Sequence, residues 1–270
     1  MISQNKDNKK DHLIILILFV IITYSITWAI LFPLSLIYNE LNFIEREVWH
    51  SLGSIGPTFG GLIAISILKK KQGLVVLRSR ILKYTNWKHM LFALSPILIL
   101  LIILFFESFF GVFNFKSFLD ENNISNFGIF MIYLLPSLCY GFFEEIGWRG
   151  FFLPKLQERF NALISTIILT IIWWFWHFPT FFYRFDFLFA VVFMFPLMLA
   201  GSLVFTFLFN QSRGSLFMVI IMHISYDLVT ARQVSITATI VVSTFFVFMA
   251  IKVLKLYGRE NLSLSKRISL

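Results

Sequence analysis

Charge is scarce in this chain. Of its 270 residues only 14% are Asp, Glu, Lys or Arg, while 58% are apolar and mean hydropathy is +0.82. Soluble domains run at about 25% charged and about 45–50% apolar, which excludes a soluble globular enzyme, a disordered tail and a fibrous chain. Cysteine is nearly absent. Cys139 alone can close no intramolecular disulfide, and no zinc site built on cysteine pairs is possible. Nothing electropositive precedes it closely, so it reads as a small apolar filler and not as a nucleophile. There is no low-complexity linker and no repeat of 20–50 residues, so residues 1–270 read as one domain. Neither the Gly-x-Ser-x-Gly elbow nor the His-Glu-x-x-His zinc helix occurs.

What is present is apolar length. Eight runs are long enough to be read as helices crossing the hydrocarbon: residues 13–38, 48–68, 90–113, 127–143, 162–182, 187–209, 216–230 and 235–256. The seventh is short, and the fourth continues past its apolar part. The expectation is an all-α polytopic membrane bundle of about eight transmembrane helices. The first run, behind Lys6, Lys9 and Lys10, is too long for a signal core of about 7–15 residues and reads as a retained membrane helix. In the second, Gly56 and Gly60 flank Pro57 at a spacing that lets another helix approach closely.

The formal charge of +9 does not point to nucleic acid, because the basic residues sit between apolar runs. They point to orientation. With the N-terminus inside, 19 of the 23 Lys and Arg fall on inner segments, and single residues (Arg46, Lys116, Arg184, Arg232) mark the outer ones. That asymmetry predicts an integral cell-membrane protein with both termini and the basic loop at 69–88 in the cytoplasm. The loop, with Lys69, Lys70, Lys71, Arg78, Arg80, Lys83 and Lys88, reads as topogenic.

Ionisable groups inside apolar segments are costly and face a protein interior or an aqueous cavity. They occur here in three places: Glu144-Glu145-x-x-x-Arg149-Gly150, His177 behind Trp173, and His223-x-x-x-Asp227. Glu145 and Arg149 are four apart and can pair on one helical face, which leaves Glu144 about 100° around to look elsewhere. His223 and Asp227 share a face in the same way. Glu144 lies 16 residues before Phe160 and His177 lies 16 after Asn161, so an antiparallel hairpin brings them to one level.

A carboxylate and an imidazole within reach of one water can deprotonate it, and a second imidazole can donate to the oxyanion of a tetrahedral intermediate. This is the chemistry of acyl hydrolysis. Metal stays open from the residues alone, since Glu, His, His and Asp all serve as Zn²⁺ ligands.

The three motifs, in this order and with Arg213-Gly214-Ser215-Leu216 ahead of His223, resemble those of the CPBP family, the CAAX proteases and bacteriocin-processing enzymes, also called Abi. The resemblance covers residues 127–230. It implies an intramembrane endopeptidase, glutamic-type or metalloprotease, whose site opens to the cytoplasm and whose substrates are membrane-associated peptides or proteins. By position, Glu144 would be the general base and His177 its partner on the water. Glu145 and Arg149 would shape the site, and His223 with residue 227 would hold the oxyanion. The chain departs from the family at Trp173, where Phe is usual, and at Asp227, where Asn is more common. An ionised Asp cannot donate to an oxyanion. A mechanism without a required cofactor is favoured, because only two imidazoles are available for a metal set of Glu144, His177, His223 and Asp227. A proton- or ion-coupled transporter and a non-catalytic bacteriocin-immunity protein are the competing functions.

Overall fold

Eight helical segments occupy the eight apolar runs, and no strand occurs among the described residues. The structure is a computed structural model that describes residues 2–122, 124, 126–232 and 234–270, with side chains from His12 onward except that of Lys70. The side chains of the basic flank Lys6, Lys9 and Lys10 and of Lys70 therefore lie outside what is described. The segments are α1, His12–Glu40; α2, Phe43–Lys69; α3, the pair Trp87–Ala93 and Ser95–Phe109; α4, Phe127–Gln157; α5, Ala162–Trp176; α6, Phe187–Gln211; α7, Leu216–Thr230; and α8, Ile236–Asn261. Five of these are long and apolar enough to cross a membrane alone, and α3, bent by 57° ahead of Pro96, makes a sixth if counted as one span. The chain is an all-helical, polytopic integral membrane protein.

The two shorter helices, α5 and α7, have 15 residues each. That is about 22 Å of rise, short of a hydrocarbon core of about 30 Å. α5 stops at His177 because Pro179 cannot continue it, and the chain runs on as a 3₁₀ turn, Phe178–Phe182. Helix starts are set by side chains of the preceding residue. Asn86, Asn126, Asn161, Asp186, Ser215 and Ser235 each accept from a backbone N–H one turn on, and Asn42 forms a capping box with Glu45.

α4 is the central element. Phe19 of α1 packs against Trp148, Phe151 and Phe152, with ring centroids 5.0–5.3 Å apart. The expected glycine contact in α2 is present: a Cβ on Gly56 would fall 2.2 Å from Thr27 Oγ1 of α1. A tighter approach joins α2 to α4, where a Cβ on Gly147 would sit 2.2 Å from the Pro57 carbonyl oxygen. Since Pro57 presents backbone there, nothing can rotate away.

The two ends of the bundle differ. At one, His12, the Gln157 turn and the C-terminal tail meet. The amides of Gln157 and Asn210 bond each other, and Asn210 also holds the Asn261 carbonyl and the Ile268 amide, so the tail is tied across this end. The other end carries the connections 41–42, 178–186 and 231–235.

Gly147→Ala is expected to destabilise by about 1–3 kcal/mol or more, because backbone must move to admit the methyl. Gly201→Ala, whose Cβ would meet nothing within 4 Å, is expected to leave stability unchanged or slightly raised. Thermal unfolding of the two detergent-solubilised variants checks the pair.

Candidate active site

The backbone of α4 leaves ideal geometry where the motif begins. Tyr140–Glu144 and Trp148–Phe152 are π-helical turns that flank the single α-turn Glu145–Gly147. Such turns widen the helix locally and re-aim side chains, and they occur often at functional sites. Here two adjacent carboxylates leave the helix into different surroundings. Both are essentially without solvent exposure, Glu144 at 1% and Glu145 at 0%.

Glu144 meets α5. Its Oε2 accepts a short hydrogen bond from the indole N–H of Trp173. Its Oε1 has no hydrogen-bond partner and lies 3.9 Å from His177 Nε2. His177 Nδ1 is 2.9 Å from the Trp173 carbonyl oxygen, which can only accept, so Nδ1 carries the proton. In the neutral ring Nε2 is then a lone pair facing the free carboxylate oxygen. The hairpin argument holds: α4 and α5 bring Glu144 and His177 to one level.

Glu145 meets α7. Its Oε1 accepts from Arg149 at 2.9 Å and from His223 Nδ1 at 2.7 Å. The expected four-residue pairing is therefore formed and extended by a histidine. Arg149 is fully buried, donates onward to Ser202 of α6 at 3.2 Å, and lies over the rings of Trp173 and Phe205 at 4.8 and 5.1 Å. On the other side of His223, Nε2 is 3.7 Å from Asp227 Oδ2, an ion-pair distance and not a hydrogen bond. All six motif residues are brought together. Trp173, read from sequence only as a substituted motif position, is the donor that orients Glu144.

Glu144, Trp173, His177, His223 and Asp227 form one wall of a cavity of about 230 Å³, while Glu145 and Arg149 lie behind it. Phe189, Met194, Leu197 and Met198 of α6 make an apolar wall. The cavity extends from Glu144 past His50, Thr180 and Thr230 to Arg184 and Arg232, that is, towards the end of the bundle opposite the tail. Sequence reasoning missed this second polar group entirely. His50 Nδ1 lies 2.7 Å from the Tyr183 hydroxyl, and Tyr140 donates to the His50 carbonyl at 3.2 Å. Glu47 is the common acceptor for Arg184, at 2.9 Å, and Arg232, at 2.7 Å. Burial opposes the Arg184 charge, but the Glu47 carboxylate outweighs it and holds the guanidinium protonated above its ordinary range. The only available signal was two single arginines on short outer connections, which a basic count reads as topology markers.

Both site imidazoles have Nδ1 tied and Nε2 open, an arrangement that a metal's outer shell also uses. Among the described residues, however, no group of three or more His, Cys, Asp or Glu side chains converges as a metal site requires.

Residues 126–229 match the family model described as Type II CAAX prenyl endopeptidase Rce1-like. The chain is also similar to CAAX prenyl protease 2 of Methanococcus maripaludis, 28% identical over 189 residues that cover 66% of this chain and 69% of the relative. The resemblance to the CAAX protease family carried by the three motifs is borne out, and the matched segment contains every motif residue from Glu144 to Asp227.

Arg149→Met would leave the Glu145 carboxylate buried with one donor fewer. Loss of one partner of a buried pair costs about 3–5 kcal/mol, whereas removing both charges is often nearly neutral. A large fall in melting temperature is expected for Arg149→Met, with partial recovery when Glu145→Gln is added. Equal melting of the single variant and the parent would show that the pair supports nothing.

Proposed function

We propose that this protein is an intramembrane endopeptidase of the CAAX protease type, acting on membrane-associated peptides through a water activated by Glu144 and His177. The family match and the named relative support the endopeptidase class. One observation carries the mechanism: a partner-free carboxylate oxygen and an imidazole lone pair, 3.9 Å apart, at one wall of a cavity. A water between them donates one hydrogen to each and keeps its own lone pairs for attack. Its oxygen bonds the scissile carbonyl carbon as Glu144 Oε1 takes the proton. The C–N bond then breaks, and Glu144 returns that proton to the leaving amine. Trp173 keeps Oε2 occupied so that Oε1 alone serves as base.

The oxyanion falls to His223. Its Nδ1–H is committed to Glu145, so Nε2 donates only when the ring is an imidazolium. The nearby Asp227 and Glu145 carboxylates supply the compensating charge, which gives Asp227 a role that needs no donation of its own. The apolar wall on α6 suits a substrate that reaches the site with a lipid-like or hydrophobic segment.

This mechanism requires no metal, and zinc held by Glu144, His177, His223 and Asp227 is the competing account. Glu144→Gln is expected to lower kcat/KM on a membrane-anchored peptide by about 10³-fold or more, while Asp227→Asn keeps activity within tenfold because Glu145 still compensates the imidazolium and the amide can itself donate to the oxyanion. Chelators are expected to have little effect. Loss on Asp227→Asn that added zinc partly restores, with stoichiometric zinc in active protein, would replace the general base with a metal site. A flux in proteoliposomes without substrate, lost on Glu144→Gln, would favour transport instead.

We further propose that both termini are cytoplasmic, on the strength of the basic asymmetry. The cavity reaches towards the end of the bundle that carries Arg184 and Arg232, and the family resemblance implies a site that opens to the cytoplasm. With Cys139→Ser as background, Lys116→Cys is expected to react with an impermeant maleimide in intact cells and Lys88→Cys only after permeabilisation. The reverse pattern would invert the protein.

A further inference from the structure

At the end of the bundle that carries the tail, three cations meet with no carboxylate paired to them. Arg80 comes from the helical segment that continues α2 to Ile81, Lys83 from the turn after it, and Arg213 from the connection between α6 and α7. Backbone carbonyls hold the first two. Arg80 donates to the Ser269 carbonyl at 3.1 Å, and Lys83 Nζ donates to the Arg213 carbonyl at 2.7 Å. The Ser215 hydroxyl donates in return to the Lys83 carbonyl, and it accepts from the Met218 amide to cap α7, so the two connections are fastened to each other. A Cβ on Gly214 would lie 3.5 Å from Arg80 Nε, which sets that guanidinium against the same turn. Among the described residues no ion pair involves any of the three cations.

A topogenic role explains why these residues are basic but not why they converge. A charge that sets topology acts anywhere on an inner segment and needs no neighbour. Arg213 moreover takes the left-handed backbone conformation, at φ 54°, ahead of Gly214 at 80°. That conformation is unfavourable for an arginine, and it leaves the residue exposed beside Lys83. Burial, and then the Arg80 and Arg213 charges, push the Lys83 ammonium below its ordinary range. Like charges held together in this way repel one another until an anion lies between them. Each side chain keeps N–H groups free to meet one, because a single carbonyl uses only part of a guanidinium or an ammonium.

The surroundings say where the anion comes from. Leu82 and Tyr84 flank Lys83, Trp87 follows one turn on, and all three are exposed. Exposed aromatic side chains at a helix start sit at the boundary between hydrocarbon and headgroups, which puts the cations at headgroup level.

We propose that Arg80, Lys83 and Arg213 form a site for the phosphate of an anionic phospholipid, which bridges the α2–α3 and α6–α7 connections. The phosphate oxygens accept from both guanidiniums and from the ammonium. None of the three residues lines the cavity, and the site does not depend on the hydrolase reading. A free phosphate offers the same oxygens, so the test separates the two sources.

Binding is read on the full chain in neutral detergent micelles, with fluorescent phosphatidylglycerol and phosphatidylcholine of equal chain length. Phosphatidylglycerol is expected to bind about fivefold or more tightly at about 0.1 M salt. Arg213→Asn keeps a residue suited to the left-handed backbone, and Lys83→Gln removes the ammonium. Each is expected to lower phosphatidylglycerol affinity about threefold or more and to leave phosphatidylcholine unchanged. Lys71→Gln removes a charge from the same basic loop outside the cluster and is expected to change neither affinity. If Arg213→Asn fails to elute as a folded protein, Lys83→Gln carries the comparison. Equal affinity of the parent for the two lipids overturns the site. So does a Lys71→Gln loss as large as that of the cluster variants, since the lipid would then answer to net charge alone. Displacement of phosphatidylglycerol by inorganic phosphate, but not by chloride at equal ionic strength, would assign the cations to a soluble anion and overturn the lipid site.

Discussion

Glu145 has essentially no access to water and sits in the middle of a lipid-facing bundle, so its charge must be answered by the protein itself. Arg149 and His223 answer it through the same oxygen, Oε1, and in doing so tie α4 to α7. Ser202 and the rings of Trp173 and Phe205 then hold the guanidinium, which adds α5 and α6 to the same knot. Four helices are registered by one buried ion pair. The register is what lets Glu144, the next residue along, meet Trp173 and His177 at a usable distance.

The two carboxylates divide the labour because their surroundings differ. Glu145 is saturated on one oxygen by a guanidinium and an imidazole, which makes it a structural charge. Glu144 receives one indole N–H and keeps its other oxygen open towards the cavity. Neighbours on a helix leave it about 100° apart, and the π turns on both sides widen the helix just there, beside the contact of Gly147 with the Pro57 backbone.

The cavity joins Glu144 and Asp227 to Arg184 and Arg232, while the Gln157–Asn210 amide pair ties the tail across the other end of the bundle. The buried amides at that end satisfy one another, as burial demands. Along the cavity some polar groups are left open: Glu144 Oε1, Ser137 Oγ and Arg232 Nε lack hydrogen-bond partners.

Much of this was legible in the residues. Hydropathy located all eight helical segments, because an apolar run in lipid has little choice but to close its own hydrogen bonds. The i, i+4 spacing determined the Glu145–Arg149 pair and the shared face of His223 and Asp227, since helical periodicity is local. Counting from Phe160 and Asn161 placed Glu144 beside His177, because a tight turn fixes antiparallel register. Tertiary structure alone decided the rest. Glu145 chooses His223 across 78 residues, Glu47 draws together Arg184 and Arg232 from two distant connections, and His50 enters the cavity from a helix with no motif. No local period encodes such meetings. They follow from how glycine contacts and buried charges set the helices against one another, and that same packing settled which end of the bundle the cavity reaches.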